Sequence, residues 1–434
     1  MTDQMKNSAA TSNIEKVNRT LARRYRSEKM FKTFGIASIA LGLLAVVVLF
    51  TDIISKGSGA FRLASIQLEV QYDKDVLGLY STDDVLDSEK LALANFDGVV
   101  KDALKNRFPE VTGRTAKRQL YSMASVDSSF VLMRRLADNP KLLGKSETIW
   151  LLADDDVDTY YKSLDGTPFT GKLSENQQAW VQELIKDGDI KLEFNSNFFS
   201  NGNSSEPELA GIKGAALGSF FTLLITLALS FPIGVAAAIY LEEFAPKNKL
   251  TDFIEVNINN LAAVPSIIFG LLGLAIFIGF FGVPRSTAIV GGLVLTLMTL
   301  PTIIISSRAA IKAVPPSIRE AAIGMGASPM QVVMHHVLPL ALPGMLTGSI
   351  IGMAQALGET APLLLIGMVA FVVDIPGSLT DPATVLPVQI YLWADMPERA
   401  FIEKTSAAIM VLLGFLIVMN TLAVVLRKRL ERRW

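Results

Sequence analysis

Long runs of uncharged residues are the feature that most constrains how this chain folds. Five runs of 19 to 29 residues contain no Asp, Glu, Lys or Arg, and they cover residues 33–51, 214–241, 256–284, 286–307 and 405–426. Because a helix needs about 20 mostly apolar residues to cross a bilayer, each run predicts a membrane span. A sixth apolar stretch, residues 340–373, is interrupted by a single charge, Glu359.

These runs predict an α-helical polytopic membrane protein with six transmembrane helices and an inserted α+β extracytoplasmic domain. We divide the chain into a basic N-terminus (1–33), a first transmembrane helix (34–54), the inserted domain (55–210), a core of five further helices (211–427) and a basic tail (428–434). The first apolar run is longer than the core of a signal peptide, which has roughly 7–15 residues. We therefore expect it to be a retained anchor.

The distribution of Lys and Arg predicts the orientation. Residues 1–33 carry eight of them and residues 427–434 carry five. Since Lys and Arg are enriched on the cytoplasmic side of membrane proteins, we expect both termini in the cytoplasm, which an even number of spans allows. The loop 307–339 is then cytoplasmic and the inserted domain is periplasmic. The loop 241–260, with two lysines and four acids, favours neither side by its own charges.

The inserted domain carries its own secondary-structure pattern. It contains 18 Lys and Arg against 25 Asp and Glu, so it is acidic. Apolar residues alternate from Ile66 to Tyr72, which predicts a strand. Residues 147–152 and 190–194 predict two more strands. Helical spacing predicts helices over residues 87–108 and 174–186, the second with Ser174 as its N-cap.

Composition excludes several kinds of site. The chain has no cysteine and only two histidines, His335 and His336, which excludes thiolate sites, disulfides and histidine-rich metal centres. Its net charge of −1 argues against binding to nucleic acid. Gly144-Lys145-Ser146 resembles the end of a phosphate-binding loop, but Asn139 stands where that motif begins with glycine. We therefore predict no catalytic residue, no metal, no cofactor and no ATP hydrolysis by this chain.

The loop 307–339 contains the most informative motif. Pro315 and Pro316 should end the preceding span, and Ser317 is expected to N-cap a new helix. Glu320-Ala321-Ala322 is followed four residues later by Gly326 and further on by Leu338-Pro339. From the residues alone, this helix could lie on the membrane surface or pack its small residues into a groove on another protein.

This pattern resembles the EAA loop of ABC importer permeases, although His336 stands at a position that is usually aliphatic in that family. The stretch from Gly358 to Leu364, Gly-Glu-Thr-Ala-Pro-Leu-Leu, resembles the signature of the phosphate importer permeases called PstA. The resemblance extends over roughly residues 210–427. It implies that a coupling helix from Glu320 to Ser328 docks on a cytoplasmic ATPase. The docking residues that it implies are Glu320, Ala321, Ala322 and Gly326.

Glu359 is the candidate residue of the substrate pathway, together with Gln355 and Thr360. An ionisable group within a span costs about 2.5–3.5 kcal/mol on insertion scales for Asp, and is therefore a functional candidate. A carboxylate can accept hydrogen bonds from the P–OH groups of protonated phosphate. The alternative is a structural ion pair. Because the predicted spans contain no Lys or Arg, the cation of such a pair would have to come from a partner subunit.

Small residues and a proline surround this candidate. Gly344, Gly348, Gly352 and Ala356 recur every four residues, which predicts close packing against a neighbouring helix. Pro362 should loosen the helix beside Glu359, because proline lacks a backbone N–H.

These features predict the non-enzymatic permease subunit of an ATP-driven phosphate importer in the inner (plasma) membrane. The expected partners are a PstB-like ATP-binding subunit, a PstC-like second permease, a periplasmic phosphate-binding protein, inorganic phosphate and membrane lipid. Two alternatives remain open. The chain could be a permease for another oxyanion, such as sulfate or molybdate, or a membrane sensor that reads an external signal through residues 55–210.

Overall fold

A computed structural model describes residues 2–430 except 165, 167, 168, 170 and 370. The chain divides into two compact units, residues 1–55 and 56–434. The first unit belongs to a single helix, α1 (Thr2–Gly57). The helical segment Arg23–Phe61 is long and apolar enough to cross a membrane, which agrees with the first predicted span.

The second unit begins with an α+β domain, residues 58–200, built on a three-stranded antiparallel sheet. The strands are β1 (Arg62–Gln71), β2 (Ser146–Leu152) and β3 (Ile190–Phe194), and β1 lies in the centre. Its helices are α2 (Lys74–Leu77), α3 (Thr82–Leu86), α4 (Ser88–Leu93), α5 (Phe96–Arg107), α6 (Arg114–Tyr121), α7 (Asp127–Asp138), α8 (Asp155–Ser163), α9 (Glu175–Asp187) and α10 (Ser196–Ser200). All three predicted strands are confirmed. The alternating Ile66, Leu68 and Val70 are buried in the core between sheet and helices.

Of the two helices predicted in this domain, the one over residues 174–186 is confirmed and the one over residues 87–108 is partly wrong. Ser174 caps α9, and Ser174 and Gln177 form a reciprocal capping box. The helix predicted over residues 87–108 is instead two helices, α4 and α5. The chain is extended at Ala94, and the side chain of Asn95 accepts a hydrogen bond from the N–H of Gly98 (2.9 Å), so a new helix begins there.

The rest of the second unit is helical. Its helices are α11 (Lys213–Ile239), α12 (Lys249–Ala262), α13 (Ser266–Gly273), α14 (Ala288–Lys312), α15 (Pro316–Gly324), α16 (Pro329–Gln331), α17 (Leu338–Gly358), α18 (Ala361–Leu365), α19 (Leu386–Ala394) and α20 (Ala400–Leu430). Short π-helical segments continue α11, α13 and α16. The predicted fold class, a polytopic helical membrane protein with an added α+β domain, is confirmed.

Two of the predicted spans are not continuous helices. Helices α12 and α13 meet at an angle of 101°, so the described residues hold five candidate spans, or six if this bent pair is one span. The bend lies at Pro265, whose backbone is extended. The stretch predicted over residues 340–373 is helical only to Gly358, and Pro362 lies in the first turn of the separate helix α18. A proline lies at each interruption, where it lacks an N–H and its ring crowds the carbonyl four residues before it, which favours a break.

The stripe of small residues on α17 faces α14. A Cβ atom added to Gly344 would lie 2.7 Å from the Cβ of Ala310, and one added to Gly348 would overlap the side chain of Ser306. Gly352 faces Ile303 and Thr299 at ordinary contact distance. The predicted close packing is therefore confirmed, with α14 as the neighbouring helix.

Charged residues join the α+β domain to the helical region. The ammonium group of Lys162 on α8 pairs with Asp158 (2.6 Å) and with Glu403 at the start of α20 (3.1 Å). Burial, with a contribution from Asp155, raises the pKa of Asp154 to about 8. Burial also raises the pKa of Glu208, which precedes α11, to about 7. The region where the α+β domain meets the helices therefore contains carboxyl groups whose burial favours the neutral, protonated form.

We expect Gly348→Ala to destabilise the protein by about 1–3 kcal/mol, because the added methyl group overpacks the contact with Ser306. Thermal unfolding of the purified protein in detergent measures this. Gly414→Ala is the matched control, because no atom lies within 4 Å of the Cβ position there. The double change Gly348→Ala with Ser306→Gly should recover most of the loss, and equal midpoints for both single variants would contradict the packing.

Candidate functional site

The loop that carries the EAA pattern folds as a short helix and a tight turn. Helix α15 begins at Pro316, whose fixed φ suits a first helical position. Ser317 therefore does not cap the helix, and the prediction that it does is wrong, because Pro315 takes the N-cap position. The helix ends at Gly324, short of the expected boundary at Ser328. Ser328 instead caps α16 in a capping box with Gln331.

The position of Gly326 explains the spacing of the motif. Its φ is +86°, in the left-handed region that favours glycine. The N–H of Gly326 donates to the carbonyl of Ile323 (2.8 Å), and the N–H of Ala327 donates to that of Ala322 (3.1 Å). These bonds close the C-terminus of α15. A glycine four residues after Ala322 is thus needed to reverse the chain at this point.

A half-buried guanidinium group, that of Arg319, anchors α15 to the helical bundle. Arg319 donates to the carboxylate of Glu243, which follows α11, with a shortest distance of 2.7 Å. It also donates to the carbonyls of Val314 (2.7 Å) and Ile311 (3.0 Å). Hydrogen bonds to a charged group are stronger than neutral ones. Arg319 therefore fixes the helix to the ends of both α11 and α14.

A second cluster of ion pairs lies beside this anchor. Arg308 on α14 pairs with Glu242 (3.3 Å) and with Glu255 on α12 (2.6 Å). Lys312 reaches Glu242 at 3.4 Å, but its side chain is 59% exposed. The loop 241–260 therefore lies at the same end of the bundle as the loop 307–339. Its own charges favoured neither side of the membrane in the sequence. Sequence reasoning missed these partners, because 66 and 76 residues separate the bonded pairs.

Three of the four predicted docking residues are exposed. Glu320, Ala321 and Gly326 face outward, whereas Ala322 is only 1% exposed and packs inside the loop. Large apolar side chains surround the exposed three, and these are Ile323, Met325, Met330 and Met334. Exposed apolar patches bordered by polar residues mark contact surfaces. We call this patch, with Glu320, Ala321 and Gly326, the loop surface.

Glu359 occupies the break between α17 and α18. Its backbone is extended, and its side chain is half-buried, as is that of Thr360, while Gln355 is exposed. The carbonyl of Thr360 accepts hydrogen bonds from the N–H groups of Leu363 (3.1 Å) and Leu364 (3.0 Å), so Thr360 starts α18. Within the part of the chain that the structure describes, no hydrogen bond or ion pair holds the Glu359 carboxylate. The structure thus places the three residues near one helix end without bonds between their side chains.

The break is supported by neighbouring elements. The Cβ position of Gly270 on α13 lies 2.7 Å from the Cα of Pro362, so the two interrupted regions pack together. The Oγ of Ser286 donates to the carbonyl of Gly367 (2.5 Å). The Oγ1 of Thr384 donates to the carbonyl of Met368 (3.0 Å). Side-chain hydroxyls thereby bind backbone carbonyls of the non-helical segment that follows α18.

An apolar cavity lies elsewhere in the bundle, between α11, α17 and α20. Its lining includes Leu223, Phe231, Met353 and Leu416, and Asn420 and Ser349 are its polar members. Among the described residues, no charged side chain lines it. An oxyanion needs hydrogen-bond donors, so this cavity does not suit one.

We expect Arg319→Ala to loosen α15, because it removes charge-assisted hydrogen bonds that are each worth about 1.5–3 kcal/mol. Amide hydrogen exchange over residues 316–327 should accelerate by about ten-fold or more. Lys312→Ala is the control, since an exposed pair contributes about 0–1 kcal/mol. Unchanged exchange in Arg319→Ala would show that the loop does not depend on this anchor.

Family comparisons match two parts of the chain. Residues 230–434 match the family described as binding-protein-dependent transport system inner membrane component. Residues 18–166 match a domain of unknown function, DUF3333. The second match covers most of the α+β domain, and its description assigns no role to that domain.

Three relatives share the helical region. The probable ABC transporter permease protein YqgI of Bacillus subtilis is 35% identical over 42% of this chain. The matched part covers 60% of the length of YqgI. The phosphate transport system permease protein PstC of Haemophilus influenzae is 32% identical over 49% of this chain, and the match covers 73% of PstC. The phosphate transport system permease protein PstA of the same organism is 29% identical over 46% of this chain, and the match covers 70% of PstA. The expected resemblance to phosphate ABC permeases is confirmed, with both subunit types among the relatives. The chain belongs to the family of binding-protein-dependent ABC transporter permeases.

Proposed function

We propose that this chain is the PstA-type permease subunit of an ATP-driven importer of inorganic phosphate. The observation that carries the proposal is the Gly358–Leu364 signature at the helix break, in a chain whose relatives include phosphate permeases. The proposed orientation has both termini and the loop surface in the cytoplasm and the α+β domain in the periplasm. It rests on the excess of Lys and Arg near both ends of the chain.

The loop surface supports a contact with a cytoplasmic ATP-binding subunit. Its apolar side chains are exposed in this chain, and methionines such as Met325 and Met330 adapt to a partner's groove. The anchor at Arg319 would transmit a displacement of α15 to α11 and α14. ATP binding can bias the bundle between inward-open and outward-open states only if the ATPase contacts those states differently.

The half-buried carboxylate of Glu359 supports a contact with protonated phosphate. A carboxylate accepts hydrogen bonds from P–OH, while sulfate at neutral pH has no such donor. Gln355 and Thr360 can donate to the phosphate oxygens. A PstC-like second permease would complete the path and supply the positive charge that an anion needs. A periplasmic binding protein would deliver the substrate.

The test is uptake of radiolabelled phosphate into vesicles that contain this chain, a PstC-like permease, a PstB-like ATPase and a phosphate-binding protein. We expect ATP-dependent uptake that excess sulfate or molybdate does not suppress. Uptake of either of those anions in place of phosphate would assign the chain to another oxyanion. No ATP-dependent uptake of any oxyanion by the assembled complex would refute the proposal and favour the sensor alternative.

We expect Glu359→Gln to lower phosphate uptake by about ten-fold or more, because a charge-assisted hydrogen bond worth about 1.5–3 kcal/mol is lost. The amount of intact complex in the membrane is measured in the same vesicles and should not change. Asp374→Asn, which removes a charge from an exposed position of the following segment, is the control. Loss of the complex instead of uptake would assign Glu359 to a structural ion pair with a partner subunit.

The proposed orientation predicts the accessibility of single cysteines in a chain that has none of its own. Ser88 in the α+β domain and Ser317 in the loop are both exposed. We expect Ser88→Cys to react with a membrane-impermeant maleimide in intact cells and Ser317→Cys to react only after the membrane is opened. Reaction of both from the same side would contradict the orientation.

A further inference from the structure

A group of acidic side chains lies where the α+β domain meets the helical region. A cavity there is lined by Asp155, Asp158 and Glu208, by Glu403, and by Lys162 and Lys404. Asp154 and Asp156 flank Asp155 in the sequence. The group therefore contains six carboxyl groups and two ammonium groups, so acidic groups outnumber basic groups in a largely buried place.

Both lysines are engaged away from residues 154–156. Lys162 pairs with Asp158 (2.6 Å) and Glu403 (3.1 Å). Lys404 is 3% exposed and donates to the carbonyl of Ala210 (3.2 Å). Among the described residues, no ion pair within 4.0 Å reaches Asp154, Asp155, Asp156 or Glu208. The chain's own cations thus leave this part of the cluster uncompensated.

The start of α8 brings three carboxylates together. Asp154 is the N-cap, and its side chain accepts from the N–H of Asp156 (3.1 Å). One oxygen from each of Asp154, Asp155 and Asp156 lies within 4.8 Å of the others. Oxygens that share a calcium ion at about 2.3–2.6 Å can be no more than about 5 Å apart. The spacing therefore permits all three to contact one ion.

Glu208 provides an independent indication of a ligand. It is 2% exposed, and its Oε1 accepts a hydrogen bond from the Oγ of Ser125 (2.6 Å). Its Oε2 is buried and has no hydrogen-bond partner among the described residues. It lines the same cavity as Asp155. A buried carboxylate oxygen without a donor is costly, and a bound cation would remove that cost.

We propose that residues 154–156 and Glu208 bind one hard divalent cation, Ca²⁺ or Mg²⁺. Carboxylate oxygens are the ligands that these ions prefer. The ion would tie α8 of the α+β domain to the segment that leads into α11, and so hold the domain on the helical region. The scarcity of Cys and His led to the prediction of no metal, which left carboxylate ligands out of account.

The experiment titrates Ca²⁺ and, separately, Mg²⁺ into the full-length protein in detergent after removal of metal with EDTA. Calorimetry should show one saturable site per chain for at least one of the two ions. The same ion should raise the thermal unfolding midpoint, because a ligand that binds only the folded state stabilises it. The ion with the higher affinity identifies the cation.

Glu208→Gln and Asp154→Asn should each weaken binding by at least about ten-fold, since even loss of an indirect partner of a metal site commonly costs that much. Both changes preserve local structure, because Gln can still accept from Ser125 and Asn is as good an N-cap as Asp. The matched control is Asp87→Asn, at the exposed N-cap of α4, where the Asp87 side chain accepts from the N–H of Glu89 (3.1 Å). It should bind as the unchanged protein does.

Two outcomes would overturn the proposal. The first is no saturable binding of either ion by the unchanged protein. The second is equal affinity in the unchanged protein, Glu208→Gln and Asp154→Asn. If one of the two variants fails to remain monodisperse in detergent, the other decides between these outcomes.

Discussion

In an apolar environment every backbone N–H and C=O must find its partner within the protein, and the helical region depends on this constraint. The chain nevertheless leaves the helical state near Pro265 and again after Gly358. The two interruptions are tolerable because they lie together, with Gly270 packed on Pro362. The hydroxyl groups of Ser286 and Thr384 bind backbone carbonyls of the non-helical segment that follows α18. The glycine at position 270 matters for this reason, since any side chain there would separate the two breaks.

The helical region therefore has one stiff end, which is held by ion pairs, and one interrupted place, where its helices break. At the stiff end, Arg319 joins α15 to the residues that end α11 and α14. The ion pairs of Arg308 extend the same connection to α12. A displacement of α15 would therefore act on three long helices together, through bonds whose length can change little. At the interrupted place, no hydrogen bond or ion pair from the described residues holds the Glu359 carboxylate.

Local patterns in the sequence were sufficient for elements whose cause is local. The alternation of Ile66, Leu68 and Val70 predicted a strand, and Ser174 predicted a helix start, because each depends on residues within one or two turns. Two predicted spans are interrupted helices: the weak point at Pro362 was predicted from the sequence, whereas counting gaps between charges did not reveal the bend at Pro265. Ser317 was wrong as the predicted N-cap, because Pro316 already occupies the first helical position.

Other parts of the site depend on residues distant in the sequence and could not be predicted from it. Arg319 and its partner Glu243 are 76 residues apart in the sequence. Asp155 and Glu208, two of the proposed cation ligands, come from different segments of the chain. Ala322 belongs to the recognised motif, yet it is buried, because the turn at Gly326 folds that side of α15 against the bundle. A motif indicates which residues matter without stating which of them face a partner.

The acids of this chain differ in how their charge is compensated, and the difference bears on Glu359. Glu243 is held by Arg319 and Asp158 by Lys162. In both pairs the carboxylate lies 2.6–2.7 Å from a basic side chain. Glu359 is half-buried at a helix break and has no such neighbour among the described residues. A half-buried carboxylate that has no cation beside it needs a hydrogen-bond donor from outside the chain. Under the proposed function, we infer that this donor belongs either to phosphate or to a second permease, and in both cases Glu359 lies at a surface that the single chain leaves incomplete.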